Sequence, residues 1–378
     1  MSIMPCRYDE LVKTVAGYAK TGLQLIGFDG TQIFPSGISD DVGLYYFIPK
    51  LVRLFGISLD YAIEIFFYGM VVASCVFGIA GFFLLNRSWL FRTVAVAGLV
   101  AFSFVSCRGM TDVYLVASSL AVALVPWALY FMRGRKKNTT CGIFLFLSGV
   151  AIGYAHYIRA FSGGAVFIFL FLSLVLNTMR PCKNRLLLCG VLLCGLIVPI
   201  VHFKLLLADR KNYFGDQFNT FEARHVFWHS VCGGFGFLNN DLGIAWDDKA
   251  IIEKIKKNNP RVEYPTREYE VAARKEVFNL ARNRLHFFMT TIFAKLGIIF
   301  YYFLLFANIG LFVAFFFRKS WRIELLFLSA LVFSSLFGII ALPGRYYLSG
   351  FIAFAVLYGL VSIEYAIGVH DEYHELSL

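Results

Sequence analysis

The feature that most constrains this chain is the recurrence of apolar runs close to the length of a bilayer crossing. They lie near 60–85, 93–107, 112–132, 141–157, 162–178, 186–206, 294–317, 324–341 and 350–368. About 20 apolar residues in a helix span the hydrocarbon core. Apolar residues make up 59% of the 378 residues and charged residues 16%. A soluble chain of this length could not hide so much apolar surface in one core. The expected fold is all-α: a polytopic membrane protein with about nine transmembrane helices, the second of them short.

The loops orient the helices. Arg87 and Arg92 follow the first run, and Arg133, Arg135, Lys136 and Lys137 follow the third. Arg180, Lys183 and Arg185 follow the fifth, and Arg318, Lys319 and Arg322 the seventh. These are short alternate loops, so the positive-inside rule makes them cytoplasmic. The net charge of +11 is then a topological signal, and no nucleic-acid partner is expected. The outward segments are 1–58, 108–111, 158–161, 207–285 and 342–349. The chain divides into an outward N-terminal segment with an acidic loop (1–58), a first transmembrane bundle of about six helices (59–206), a large extracytoplasmic loop (207–285), C-terminal transmembrane helices (286–369) and a cytoplasmic tail (370–378). Within the large loop, EYEVAARKEVFNLARNRL has the period of an amphipathic helix.

The stretch LVKTVAGYAKTGLQLIGF is too polar for a confident span. It reads either as an amphipathic interfacial helix or as the sequel to a first transmembrane helix ahead of Met1. Of the eight cysteines, Cys75, Cys141, Cys189 and Cys194 lie in or beside apolar runs, where cysteine acts as a small hydrophobe. No CxxC pair occurs, so neither a zinc site nor a disulfide framework is expected; Cys107 and Cys232 are the one pair that outward topology allows to meet.

The conspicuous polar residues fall on outward segments. Asp40 and Asp41 precede the first run in SDDVGLYYFIPKL. Arg108 and Asp112 flank the turn RGMTD, His156 and Arg159 close the fourth run, and Arg345, Tyr346 and Tyr347 lie in PGRYYLSG. His225 and His229 lie in the large loop. Ionisable groups near membrane depth are costly and often mark a substrate path. Each has a plainer reading. An aspartate of SDD can cap a helix N-terminus. Arg159 and Arg345 can snorkel or clamp phosphate. Arg108 and Asp112, at i and i+4, can pair with each other. His229 can be a ligand or a satisfied loop histidine. The pair Asp247–Asp248 in WDDKA reads as a helix N-terminus. Tyr45, Tyr46 and Phe47 are candidates to line a groove for an isoprenoid chain.

This layout resembles the GT-C superfamily of integral membrane glycosyltransferases, which includes the protein mannosyltransferases and the aminoarabinose transferases of lipid A. The resemblance rests on SDDVGLYYFIPKL as an acidic first outward loop, on RGMTD in the next outward turn, and on the large loop ahead of the late spans. The tyrosines follow Asp41 by four and five residues, a departure from the family's usual acidic motif. The resemblance implies a polyprenyl-phosphate sugar donor, an acceptor lipid, glycan or protein, and reaction on the periplasmic face of a bacterial inner membrane. It implies Asp41, or else Asp40, as the base that deprotonates the acceptor, and Arg159 and Arg345 as phosphate-binding residues. Arg108, Asp112, His229, Tyr45, Tyr46 and Tyr346 are further site candidates. Some members need no metal, whereas others hold a divalent cation at the acidic loop, here Asp40 and Asp41. Three other readings stand beside it: a flippase or transporter of a lipid-linked sugar, a polysaccharide polymerase or ligase, and a non-catalytic membrane subunit.

Overall fold

Apolar composition along the runs dictates helix, because a backbone in lipid must satisfy its own hydrogen bonds. The computed structural model describes residues 7–37, 41–108, 112–133, 138–176, 185–215, 227–264, 266–317 and 319–375. Among these, eight helices are long and apolar enough to cross a membrane. They are α3 (Leu59–Leu85), α4 (Trp89–Cys107), α5 (Leu115–Arg133), α6 (Asn138–Ile158), α8 (Arg185–Phe214), α12 (Leu285–Phe316), α13 (Trp321–Ile340) and α14 (Ser349–Glu375). The fifth apolar run forms α7 (Gly164–Val175), whose 12 residues are too few to cross alone. The second run is not short after all. It begins at Trp89, because Arg92 folds back to donate to the Phe83 and Asn86 carbonyls and so tolerates a place inside the helix.

The long helices pair closely, α3 with α5, α6 with α8, and α12 with α14. Polar contacts respect the alternation read from the loops. At the basic end, buried Glu364 of α14 accepts from Asn86 after α3 and from Arg133 of α5. Breaking this clamp leaves Arg133 without its carboxylate. Glu364→Ala is expected to cost about 2 kcal/mol, less than a fully buried pair because Arg133 is part-exposed. Thermal unfolding in detergent reads it as a lower midpoint; an unchanged midpoint would mean that the clamp contributes nothing.

At the other end lie the non-spanning elements. The polar stretch before residue 28 forms amphipathic α1 (Tyr8–Thr21), followed by a two-stranded hairpin, β1 (Ile26–Phe28) and β2 (Ile33–Pro35). Helix α2 (Val42–Phe55) is 14 residues long and packs on α3 and α6. The large loop folds into α9 (Phe227–Gly234), α10 (Asp248–Asn258) and α11 (Arg267–Asn283), with their own small core around Tyr269 and Ile255. Asp247 caps α10 by accepting from the Ala250 amide, as WDDKA suggests, and Thr266 caps α11 through the Tyr269 amide. Cys107 and Cys232 are both free thiols, so the pairing that outward topology allowed is not made.

Candidate functional site

Asp41 occupies the N-cap position of α2, yet its side chain caps nothing. It is 2% exposed and turns instead to two arginines. Oδ2 accepts from Arg7 Nε, and Oδ1 accepts from Arg159 Nη1 at 3.3 Å. Arg7 also reaches Asp112, with Nη1 at 3.4 and 3.5 Å from its two carboxylate oxygens. Arg159–Asp41–Arg7–Asp112 is thus a continuous chain of alternating charge, drawn from three outward regions of the sequence. Tyr114 lies beneath it, with the Arg159 guanidinium 4.9 Å and that of Arg7 6.0 Å from its ring centre. Arg159 Nη2 also donates to the Tyr114 hydroxyl at 3.4 Å. Tyr347 packs edge-on against Tyr114 at 5.0 Å, and Trp246 of the large loop packs against Tyr347 at 5.8 Å.

The electrostatics follow from burial and from the partners. Burial lowers the proton affinity of Arg7, but Asp41 and Asp112 outweigh it and hold the guanidinium well above its ordinary value. Burial raises the Asp112 carboxyl above the usual carboxylate range, and the charge of Arg7 only partly offsets this. Burial, and then Tyr114, push the Tyr347 hydroxyl up.

The position of Asp41 depends on a close helix crossing. Gly43, in the first turn of α2, meets the end of α6, and a Cβ there would lie 2.9 Å from the Ile158 nitrogen and the Tyr157 carbonyl carbon. Gly43→Ala must therefore push α2 away from Arg159, because backbone atoms cannot yield as a flexible side chain can. It is expected to weaken any activity of the site about 10-fold or more, with the fold retained by circular dichroism. Activity at the wild-type level would show that the crossing is not needed. A second clamp holds the loop that leads into Asp41. Buried Arg210 of α8 donates to the Ser36 and Gly37 carbonyls, while Glu10 accepts from the Gly37 amide at 2.9 Å.

Below the charge chain an apolar groove of about 590 Å³ runs between α3, α5 and α6. On α6 it is lined at helical spacing from Thr140 to Ile158, the residue before Arg159. The eighteen helical steps from Thr140 to Ile158 measure about 27 Å, close to the hydrocarbon thickness. Phe77, Ile143 and Leu147 on its walls are exposed, so the groove opens sideways to lipid.

The remaining candidates have other partners. Arg345 Nη2 donates to the Val105 and Arg108 carbonyls and so closes the end of α4; it stands outside the charge chain. Arg108 is exposed, and the expected i, i+4 pair is not formed, because Asp112 turns to Arg7. His229 is buried and saturated, with Nδ1 at 2.7 Å from the Tyr269 hydroxyl and Nε2 at 3.1 Å from Asp248. Its hydrogen bond holds the Asp248 carboxyl below its ordinary value. This is a structural histidine. Tyr45 is interior and bonded to Glu10. Tyr46 accepts from Lys50 at 2.7 Å and packs against His202 and Phe203. Neither tyrosine lines the groove. Phe47 touches Tyr154, one of its lining residues, at 5.7 Å between ring centres. Tyr346 is exposed beside Tyr114. Lys295 of α12 is buried and donates to the Ile339 and Ala341 carbonyls at the end of α13. Asp40 and His225 lie outside the described residues. Both Asp41 oxygens face guanidinium groups, and a cation against Asp41 would meet two positive charges. Among the described residues no group of three or more His, Cys, Asp or Glu side chains could hold a metal.

Arg7 and Tyr114 are the members of the site that motif reading misses. Arg7 lies 34 residues from Asp41 and 105 from Asp112, and nothing in CRYDE marks it. No family model, no curated protein and no solved structure matches this chain.

Proposed function

We propose that this protein transfers a sugar from a polyprenyl-phosphate donor to an acceptor hydroxyl at the outward end of its bundle. The observation that carries the reading is the apolar groove of bilayer depth that ends beside Arg159. An amphiphile with a long apolar chain and an anionic head matches that arrangement. Its chain fills the groove from α5 and α6, and its phosphate meets Arg159. Arg159 donates to Asp41 and to the Tyr114 hydroxyl at 3.3 and 3.4 Å, and its planar fork of donors suits a phosphate. When the sugar–phosphate bond breaks, charge builds on the leaving phosphate, and a fixed guanidinium stabilises it most at that moment. A carboxylate of the charge chain takes the acceptor's proton. In a bacterial cell the corresponding location is the inner membrane, with the site facing the periplasm.

The layout of outward acidic loops, inward basic loops and a large outward loop supports the resemblance to GT-C glycosyltransferases. The test is transfer of labelled sugar from polyprenyl-phosphate donors by membranes containing the protein. Transfer that depends on Arg159 is the expected result. Binding of the donor without any transfer would overturn the reading and favour a carrier of lipid-linked sugars.

A further inference from the structure

The four charged groups are not equivalent, and the difference assigns their roles. Asp41 is almost wholly buried, and a guanidinium sits against each of its oxygens. A carboxylate so held has no open face for an acceptor. Asp112 stands at the end of the chain. Its side chain is 20% exposed against 3% for Asp41. Oδ1 accepts from the Val113 amide at 2.6 Å, while among the described residues Oδ2 has only the long contact to Arg7 at 3.5 Å. We infer that Asp112, through Oδ2, is the carboxylate that takes the acceptor's proton, and that Asp41 is a positioning residue that locks Arg7 and Arg159. This rests on the glycosyl-transfer reading above. It moves the base from the first outward loop, where the family resemblance puts it, to the second.

The step balances without a further reagent. The acceptor oxygen bonds to the anomeric carbon as the bond from that carbon to the phosphate oxygen breaks. The polyprenyl phosphate leaves with the electron pair, and the acceptor proton moves to Asp112 Oδ2 and later to water. The groups facing Asp112 are Arg7 from the segment before α1, Asp41 at the start of α2, Arg159 after α6 and its neighbour Tyr114. Burial and the Asp41 charge raise the proton affinity of Asp112, whereas Arg7 and Arg159 lower it. A carboxyl raised in this way is better matched to a general base's task. Only ionised Asp112 can act, so activity falls as pH drops through its folded-state value. Removing the charge of Arg7 lifts that value and moves the acidic limb of the profile to higher pH.

The test compares wild type, Asp112→Asn, Asp41→Asn, Asp40→Asn and Arg7→Gln. Transfer from a labelled polyprenyl-phosphate sugar is read against pH, and the protonated-carboxyl carbonyl band is read by difference infrared spectroscopy on the same samples. The expected result is a loss of about 1,000-fold in transfer for Asp112→Asn with donor binding kept. A carbonyl band titrating above the ordinary carboxylate range should vanish in Asp112→Asn alone and shift to higher pH in Arg7→Gln. Transfer by Asp112→Asn within about 10-fold of wild type, or a band that survives this substitution, overturns the assignment and leaves the glycosyl-transfer reading standing. A wild type that binds donor and transfers nothing overturns both.

Discussion

Replacing Arg159 with alanine is expected to lower sugar transfer at least about 100-fold, the largest effect of any single arginine in the protein. Two losses combine. A guanidinium that meets a phosphate in a dry site contributes roughly 2–4 kcal/mol to the transition state, and a factor of 100 corresponds to about 2.7 kcal/mol. The substitution also strips Asp41 of one of its two partners and Tyr114 of the cation above its ring. Arg159→Lys separates these. It keeps the charge but loses the planar fork that can hold an anion and Tyr114 together, so it should recover only part of the activity. Arg345→Ala is the informative contrast, because that side chain closes α4. It should lower stability more than catalysis. Equal losses of turnover for Arg159→Ala and Arg345→Ala would mean that the charge chain has no special role.

The second large effect is expected from filling the groove. Ala151 lies on the groove face of α6, between Ser148 and Tyr154. Ala151→Trp puts an indole into a space of about 590 Å³ without touching any charged residue. A donor with a long chain should then bind at least 10-fold more weakly, an effect on KM, while turnover of bound donor stays near wild type. A donor with the chain cut to a few carbons should be indifferent to the substitution. If long and short donors respond alike, the tail lies elsewhere.

The parts of this structure that could be read from sequence are those set by local composition. Runs such as 60–85 and 186–206 leave a chain in lipid no choice but helix, and alternating basic loops order them end for end. The failures have equally physical causes. Arg92 was expected outside a helix, but it sits within α4 because its long side chain reaches back to carbonyl groups. The run 162–178 is apolar enough to span, yet its regular helix ends at Val175. At the site, Asp41, Asp112 and Arg159 were visible as charges at outward ends. Arg345 and His229 looked the same in sequence, since the pattern does not say whether a polar group meets a ligand, a carbonyl or a neighbouring ring. Arg7 was invisible because only the packing of the N-terminal segment against α2 brings it to the two aspartates.

The arrangement also explains why two carboxylates can stand at the threshold of an apolar bundle. Asp41 and Asp112 with Arg7 and Arg159 sum to zero charge, so the cluster costs far less at membrane depth than any member alone. Capping by Asp41 would have needed its side chain to accept from the amides of α2, and it does not; Asp40, the other aspartate of SDD, lies outside the described residues.

The most direct test is photocrosslinking with a polyprenyl phosphate that carries a photoreactive group on its chain. The account predicts labelling of α6 between residues 140 and 158 and of the facing side of α5, abolished by excess polyprenyl phosphate and reduced in Arg159→Ala. Labelling confined to lipid-facing surfaces such as Phe312 and Phe315 of α12, indifferent to competitor and to Arg159, would contradict it.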